Sequence, residues 1–239
     1  MASDTYIFKR IEKKYLIREE DCEQLLARIS EHLYPDPHGK STICSLYLDT
    51  PSFLLIRNSI DARTYKEKIR LRSYGTPGEQ DRVFLELKKK YKGVVYKRRI
   101  VLPLGEAMDY ILHGNKPPDS QILREIDYAM HFYNEPKPAM MIVYERDAFF
   151  FREYPALRIT FDRNVRYRNE ELRLEAGTRG KHLLDADRII MEIKTDGAMP
   201  LFLSSALDEL KIFPSSFSKY GRAYLDVLSE SHSPTPVKI

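Results

Sequence analysis

Apolar and polar residues alternate with a period of two through most of this 239-residue chain, and the alternation predicts eight strands. They span Tyr6 to Arg18, Ser41 to Asp49, Tyr65 to Tyr74, Arg82 to Lys90, Gly93 to Leu102, Ala139 to Phe151, Ala156 to Tyr167 and Asp187 to Asp196. Helical periodicity fills Glu19 to His32, Ser52 to Ser59, Gly105 to His113, Ser120 to Tyr133, Leu201 to Leu210 and Ser218 to Ser229. Turn-forming clusters at Pro35 to Gly39, Gly75 to Gly78, Asn115 to Asp119 and Pro136 to Pro138 punctuate these elements. Sequential strands joined this way pair antiparallel, and the order lacks the alternation of a doubly wound parallel sheet. No loop is long enough to serve as a domain linker. One domain over residues 1–229 is expected, with 230–239 as a frayed tail.

Side chains alternate between the two faces of a strand, so each strand splits into two rows. Lys66, Lys68, Arg70, Arg72 and Tyr74 form one row of the third strand, against Ile69 and Leu71. Phe84, Glu86, Lys88 and Lys90 oppose Val83, Leu85 and Leu87, while Lys97 and Arg99 oppose Tyr96, Ile100 and Leu102. The first strand offers Arg10, Glu12 and Lys14, and the sixth Arg146. The seventh offers Arg158, Thr160 and Asp162, and the eighth Glu192, Lys194 and Asp196.

Taken singly, each row reads as a solvated outer face. Helices with apolar stripes, such as Leu25, Leu26, Ile29 and Leu33, must nevertheless cover something, and the apolar rows are available. The charged rows then face one another if the sheet closes. Those rows carry thirteen basic residues against five acidic ones, a surplus of eight in a protein whose formal charge is only +4. Scattered solubilising charge does not segregate this way. The expected fold is α+β: an eight-stranded antiparallel closed β-barrel with a cationic lumen, flanked by helices.

Cations lining such a lumen lose solvation worth several kcal/mol each unless paired. Five carboxylates cannot pair thirteen cations, but a linear chain of phosphates can, and it suits both the Arg fork and the Lys point charge. Glu12, Glu86, Asp162 and Glu192 are candidates to hold a Mg²⁺ or Mn²⁺ ion bridging those phosphates. The plainer alternative for each is a salt bridge that keeps the cations apart.

Several blocks, in order from Phe8 to Tyr224, carry a family resemblance. They are Arg10-Ile-Glu12-Lys-Lys14-Tyr15, Ser45-Leu46-Tyr47-Leu48-Asp49-Thr50, Lys68-Ile-Arg70-Leu-Arg72, and Leu85-Glu86-Leu87-Lys88. Tyr144-Glu145-Arg146-Asp147-Ala148-Phe149, Leu157-Arg158-Ile-Thr160-Phe-Asp162, Met191-Glu192-Ile193-Lys194 and Ser216-Phe217-Ser218-Lys219-Tyr220 complete the set. The ordered set resembles the vacuolar transporter chaperone (VTC) domain of the triphosphate tunnel metalloenzyme, CYTH-like, superfamily. That resemblance implies the same eight-stranded tunnel and a triphosphate-bearing substrate. In the eukaryotic complex the VTC domain polymerises inorganic polyphosphate from the γ-phosphate of ATP with Mn²⁺.

Carried over by motif, the resemblance implies phosphate ligands at Lys14, Arg70, Arg72, Lys88, Lys97, Arg146, Arg158 and Lys219, with Glu192 on the metal. Lys68, Arg99 and Lys194 join the substrate-binding set by their place in the charged rows. The chain departs from the pattern in three places. Arg10 replaces the first carboxylate of a Glu-x-Glu-x-Lys opening, Ser216 stands where the polymerase tends to have lysine, and Lys90 where it can have histidine. Loss of a cation at Ser216 keeps triphosphate hydrolysis and non-enzymatic polyphosphate binding as alternatives to polymerisation. The quoted blocks all fall within one domain, so the accessory domains of the eukaryotic complex are not expected here, and a separate membrane protein is a candidate partner.

Composition narrows the rest. Cys22 and Cys44 have neither metal-ligand nor disulfide-framework spacing and read as ordinary thiols of a reducing compartment. No apolar run is long enough for a membrane helix, and Asp4, Lys9 and Arg10 interrupt any signal-peptide core, so a cytoplasmic location is expected. No G-x-x-x-x-G-K-[ST] loop exists, and His32, His38, His113, His131, His182 and His232 are isolated. Ser204, Ser205, Ser215 and Ser216 read as helix and turn residues rather than nucleophiles. Lys88-Lys89-Lys90 and Lys97-Arg98-Arg99, interleaved with Tyr91 and Tyr96, form the one rival feature, a nucleic-acid patch. A tunnel excludes duplexes, so no nucleic acid is expected; ATP, triphosphate or inorganic polyphosphate is.

Overall fold

A computed structural model describes residues 11–37, 39–62, 64–92 and 94–231. Arg10, His38, Gly93 and His232, with the start of the first expected strand and residues 232–239 of the expected tail, lie outside the described residues. The strands are β1 (Ile11–Arg18), β2 (Leu33–Pro35), β3 (Ser41–Asp49), β4 (Tyr65–Tyr74), β5 (Arg82–Tyr91), β6 (Val94–Pro103), β7 (Lys137–Phe151), β8 (Arg158–Arg168), β9 (Lys181–His182) and β10 (Arg188–Thr195). The helices are α1 (Glu19–Ile29), α2 (Leu54–Asp61), α3 (Leu104–His113), α4 (Gln121–Phe132), α5 (Leu201–Glu209) and α6 (Lys219–Ser231). All eight expected strands are present, and β2 and β9 are added as short flanking pairs on β7 and β8. α6 runs two residues past the expected start of the tail.

The sheet runs β1-β10-β8-β7-β3-β4-β5-β6, and its ladders are antiparallel. Among the described residues no ladder joins β1 to β6, which corrects the expectation of a closed barrel. The sheet is a strongly curled half-barrel. Ladder pairing would bring these edges within about 4.8 Å, pressing the lumenal Lys14 of β1 towards the cationic row of β6. The register shifts between Tyr47 and Leu48 on β3 and between Val143 and Glu145 on β7, and such bulges increase local bending.

Two apolar clusters cover the convex face. Leu46, Ile69, Leu71, Leu85 and Leu87 pack with Tyr110 and Ile111 of α3 and with Ile126 and Met130 of α4. Tyr15, Ile17, Phe161, Met191 and Ile193 pack with Leu25 of α1 and Leu203 of α5. Helices therefore take the apolar rows, as the alternation requires, and the charged rows are left on the concave side.

One helix departs from that scheme. α6 brings Tyr220, Ala223 and Tyr224 against Ile43, Tyr47, Ile142, Tyr144 and Ile190. Tyr47 and Tyr144 share the charged face, so α6 fills part of the concavity and its first turn borders the remaining lumen. Asp49 fixes this arrangement: it accepts hydrogen bonds from the Leu55 and Ile56 amides of α2 and from the Tyr220 hydroxyl at 2.8 Å.

Candidate functional site

The cationic rows converge on three carboxylate centres. The first is Glu86 on β5, 1% exposed. Its Oε2 accepts from Arg70 Nε at 2.8 Å, and its Oε1 from Arg99 Nε at 2.8 Å and Lys97 Nζ at 2.7 Å, with Arg72 4.0 Å away. Burial alone would raise the Glu86 carboxyl, but Arg70, Arg72 and Lys97 hold it well below the usual carboxylate range.

The second is Asp162 on β8, which is fully buried. Arg146 of β7, its direct cross-strand neighbour, grips it with two bonds of 2.6 and 2.7 Å, and Lys219 of α6 reaches it at 2.5 Å. The third is the pair Glu192 and Glu12. Lys14 lies 3.3 and 3.5 Å from these two, Lys194 3.1 and 4.0 Å, and Lys88 3.6 Å from Glu12. Lys219 and Arg146 each stand 3.8 Å from Glu192, tying the second centre to the third. Opposed to burial, the surrounding cations depress Glu12, Asp162 and Glu192 as well.

Among the described residues nine lumenal cations (Lys14, Arg70, Arg72, Lys88, Lys97, Arg99, Arg146, Lys194 and Lys219) thus share four carboxylates, and Lys68 stands among them as a tenth. The surplus shows in the lysines. Among the described residues Lys68 donates only to a neutral partner, Ser218 Oγ, at 2.8 Å. Burial, together with Lys14, Lys88 and Arg70, pushes its ammonium down to about 8. Burial pushes Lys97 down to about 7 although Glu86 pulls the other way; 40% of its side chain is exposed, so solvent moderates the shift. Lys88 is lowered too, mainly by burial. Burial is the largest cause of each of these shifts and neighbouring cations add to it, whereas Lys14, between Glu192 and Glu12, is raised.

Of the expected site residues, Arg158 stands apart. Its guanidinium turns to the buried Asp36 at 2.6 Å and lies over the Phe150 ring, at one end of the β8 row. Asp196 is exposed beyond the end of β10, and Lys90 is exposed at the end of its row. The nucleic-acid patch does not form as a continuous surface. Lys97 and Arg99 point inward to Glu86, whereas Lys89 pairs with Glu67 and Arg98 with Glu125. Alternation along the strands splits the basic runs between faces.

Several lumenal groups are uncharged, and in the sequence they stand within the family blocks without an assigned role. Tyr47 Oη accepts from Arg70 at 3.1 Å, and Arg72 approaches Tyr144 Oη at 3.4 Å. Burial would raise Tyr47, but Arg70, Lys68 and Arg72 bring it down to about 7. The segment before α6 also enters the site: Phe217 O accepts from Lys14, and Ser218 caps the Gly221 amide while holding Lys68.

Among the described residues no three His, Cys, Asp or Glu side chains converge as a ready-made cage for a metal. Mg²⁺-type ions are commonly held by only one or two carboxylates plus substrate phosphates. The hard oxygens of Glu192 and Glu12 suit that role, and Thr160 Oγ1, directly across the ladder from Glu192, is buried without a hydrogen-bond partner. Glu86 and Asp162, by contrast, are saturated by guanidinium and ammonium groups.

No curated protein matches the chain in sequence. Among solved structures, a Bacillus halodurans protein proposed to be an adenylate cyclase superposes with a TM-score of 0.55 at 13% identity, over 88% of this chain and 95% of its own. A Hippeastrum protein proposed to be an adenylyl cyclase, and described as having a dominant triphosphatase activity, gives a TM-score of 0.49 at 13% identity, over 96% and 98%. The first of these likenesses shows a shared fold. The VTC domain family matches residues 9–228, nearly the whole chain, and the chain belongs to that family.

Proposed function

We propose that the chain transfers the γ-phosphate of ATP to the end of a growing inorganic polyphosphate chain held in the lumen. The observation that carries this reading is the excess of cations in the lumen, ten against four carboxylates among the described residues, with Lys68 and Lys97 depressed by burial beside other cations. Family membership supports a triphosphate-tunnel enzyme.

In that reaction a terminal oxygen of the acceptor chain attacks the γ-phosphorus in line. A new P–O bond forms as the bond to the β-bridging oxygen breaks, and ADP carries the electron pair away. Arg70, Arg72, Lys88, Lys14, Arg146 and Lys219 bind and orient the two phosphate chains, and neutralise the charge that spreads over the transferring group. Glu192 and Glu12 would hold a Mn²⁺ or Mg²⁺ ion, which when bound supplies Lewis-acid neutralisation of phosphate oxygens. No protein nucleophile is needed.

Incubation with ATP and Mn²⁺, with products resolved on a gel stained for polyphosphate, tests the proposal. A ladder of long chains supports it. Free phosphate from ATP or tripolyphosphate without chains makes the protein a hydrolase. Tight polyphosphate binding with neither product makes it a binding module.

A further inference from the structure

The inner row of the β4–β5–β6 wall changes chemistry along its length. At one end stand Lys66 and Lys90, directly paired in the ladder. At the other end the row turns aromatic and apolar. Arg72 pairs with Phe84, Phe84 with Val101, and Tyr74 follows two residues after Arg72 on the same face. Tyr74 is 49% exposed and Val101 39%, and both sit near strand ends, so this end opens to solvent. Tyr74 meets the Phe84 ring edge-on, with centroids 5.7 Å apart and planes at 90°. Arg99 lies over Phe84 at 4.4 Å, and Glu86 holds that guanidinium in place.

The geometry points to Tyr74, Phe84 and Val101 as the subsite for the nucleobase of a nucleoside triphosphate, which enters with its phosphates directed towards Lys88 and Lys68. The assignment deepens the proposed reaction and rests on it. A nucleoside triphosphate has one flat apolar end and one polyanionic end, and this wall presents an aromatic rim followed by cations in the same order. Two residues of strand advance about 6.7 Å, so the row places Glu86 and its guanidinium partners one step inside Phe84 and Lys88 two steps inside. A bare phosphate chain has no group for the rim. Bases stack on aromatic faces with little regard to identity, so the rim favours nucleotides over inorganic chains without selecting strongly among bases.

The test compares binding of ATP and inorganic tripolyphosphate by calorimetry in the wild type, Tyr74→Ala and Tyr74→Phe. The half-exposed position makes the alanine variant compatible with folding, which its melting temperature checks. Tyr74→Ala is expected to weaken ATP roughly 5- to 100-fold while leaving tripolyphosphate unchanged, and Tyr74→Phe to retain ATP affinity. Phe84→Leu is expected to show the same selective loss. Equal losses for both ligands, or unchanged ATP affinity in Tyr74→Ala and Phe84→Leu, overturn the subsite while leaving the cationic lumen intact. A wild type that binds neither ligand overturns the proposed reaction itself, and this assignment with it.

Discussion

Glu12 and Lys88 meet at 3.6 Å although their strands, β1 and β5, share no ladder. Among the described residues the half-barrel is drawn together by lumenal side chains rather than by backbone hydrogen bonds at its seam. Both groups keep partial exposure, so the contact itself contributes about 0–1 kcal/mol. What it shows is that the carboxylates of one wall act as counter-ions for the cations of the other.

Removing such a counter-ion from a buried position is expensive. Glu86→Gln leaves Arg70, Arg72, Lys97 and Arg99 without their common partner. Stability is expected to fall by about 3 kcal/mol, measured by denaturant unfolding. Saturating tripolyphosphate is expected to restore part of it, because a ligand that binds only the folded state stabilises by mass action.

The depressed lysines set a pH dependence. Lys68 titrates near 8 and Lys97 near 7 in the free protein, and a bound polyanion raises both. Binding therefore takes up protons, and affinity falls as pH rises from 7 towards 9. In the free protein the sign is the reverse. Because the folded values lie below those of the unfolded chain, these two groups disfavour folding at neutral pH, and that penalty fades as pH rises towards 10. Calorimetric titration of tripolyphosphate in buffers of different ionisation enthalpy checks the proton uptake.

Glu192 separates turnover from binding. Glu192→Gln is expected to lower metal-dependent turnover of ATP at least about 100-fold, while phosphate-chain binding is kept or strengthened by the lost negative charge. Turnover and equilibrium binding measured on the same variant check this, and retained metal-dependent turnover removes the role assigned to Glu192.

Asp49 acts at a distance from the lumenal cations. Its carboxylate caps α2 and holds Tyr220, whose ring stacks on Tyr47 at 4.6 Å, and the same helix carries Lys219 into the lumen. Tyr220→Phe is expected to cost about 1 kcal/mol by leaving a buried acceptor under-satisfied. It should also weaken tripolyphosphate binding several-fold, whereas in a Lys219→Ala background it should add little to that binding loss. A double-mutant cycle on binding measures the difference.

Much of this was legible in the sequence because a strand buried on one face writes its two environments into alternate positions. The row from Lys66 to Tyr74 and the row from Phe84 to Lys90 were readable for that reason. β2 and β9, of three and two residues, are too short to carry a period. The open seam between β1 and β6 was not readable, since alternation tells which face a residue takes and not which edges meet. Nor was the inward placement of α6, whose apolar stripe fits either side of a sheet equally well. Asp36 looked like part of a loop, and only the folded chain shows that it pairs with Arg158 at one end of the β8 row. Tyr47 and Ser218 are uncharged, and what makes them part of the site is the cations packed on them.

The central claim, that the surplus cations of the lumen form a site for phosphate chains, is tested most directly by titrating tripolyphosphate into the wild type, Lys88→Ala and Lys211→Ala. Lys88 lines the lumen, and Lys211 is an exposed cation outside it. Tight binding by the wild type, a loss of about tenfold or more in Lys88→Ala, and no change in Lys211→Ala are expected. Equal affinities for all three proteins, or equal losses in both variants, would contradict the claim.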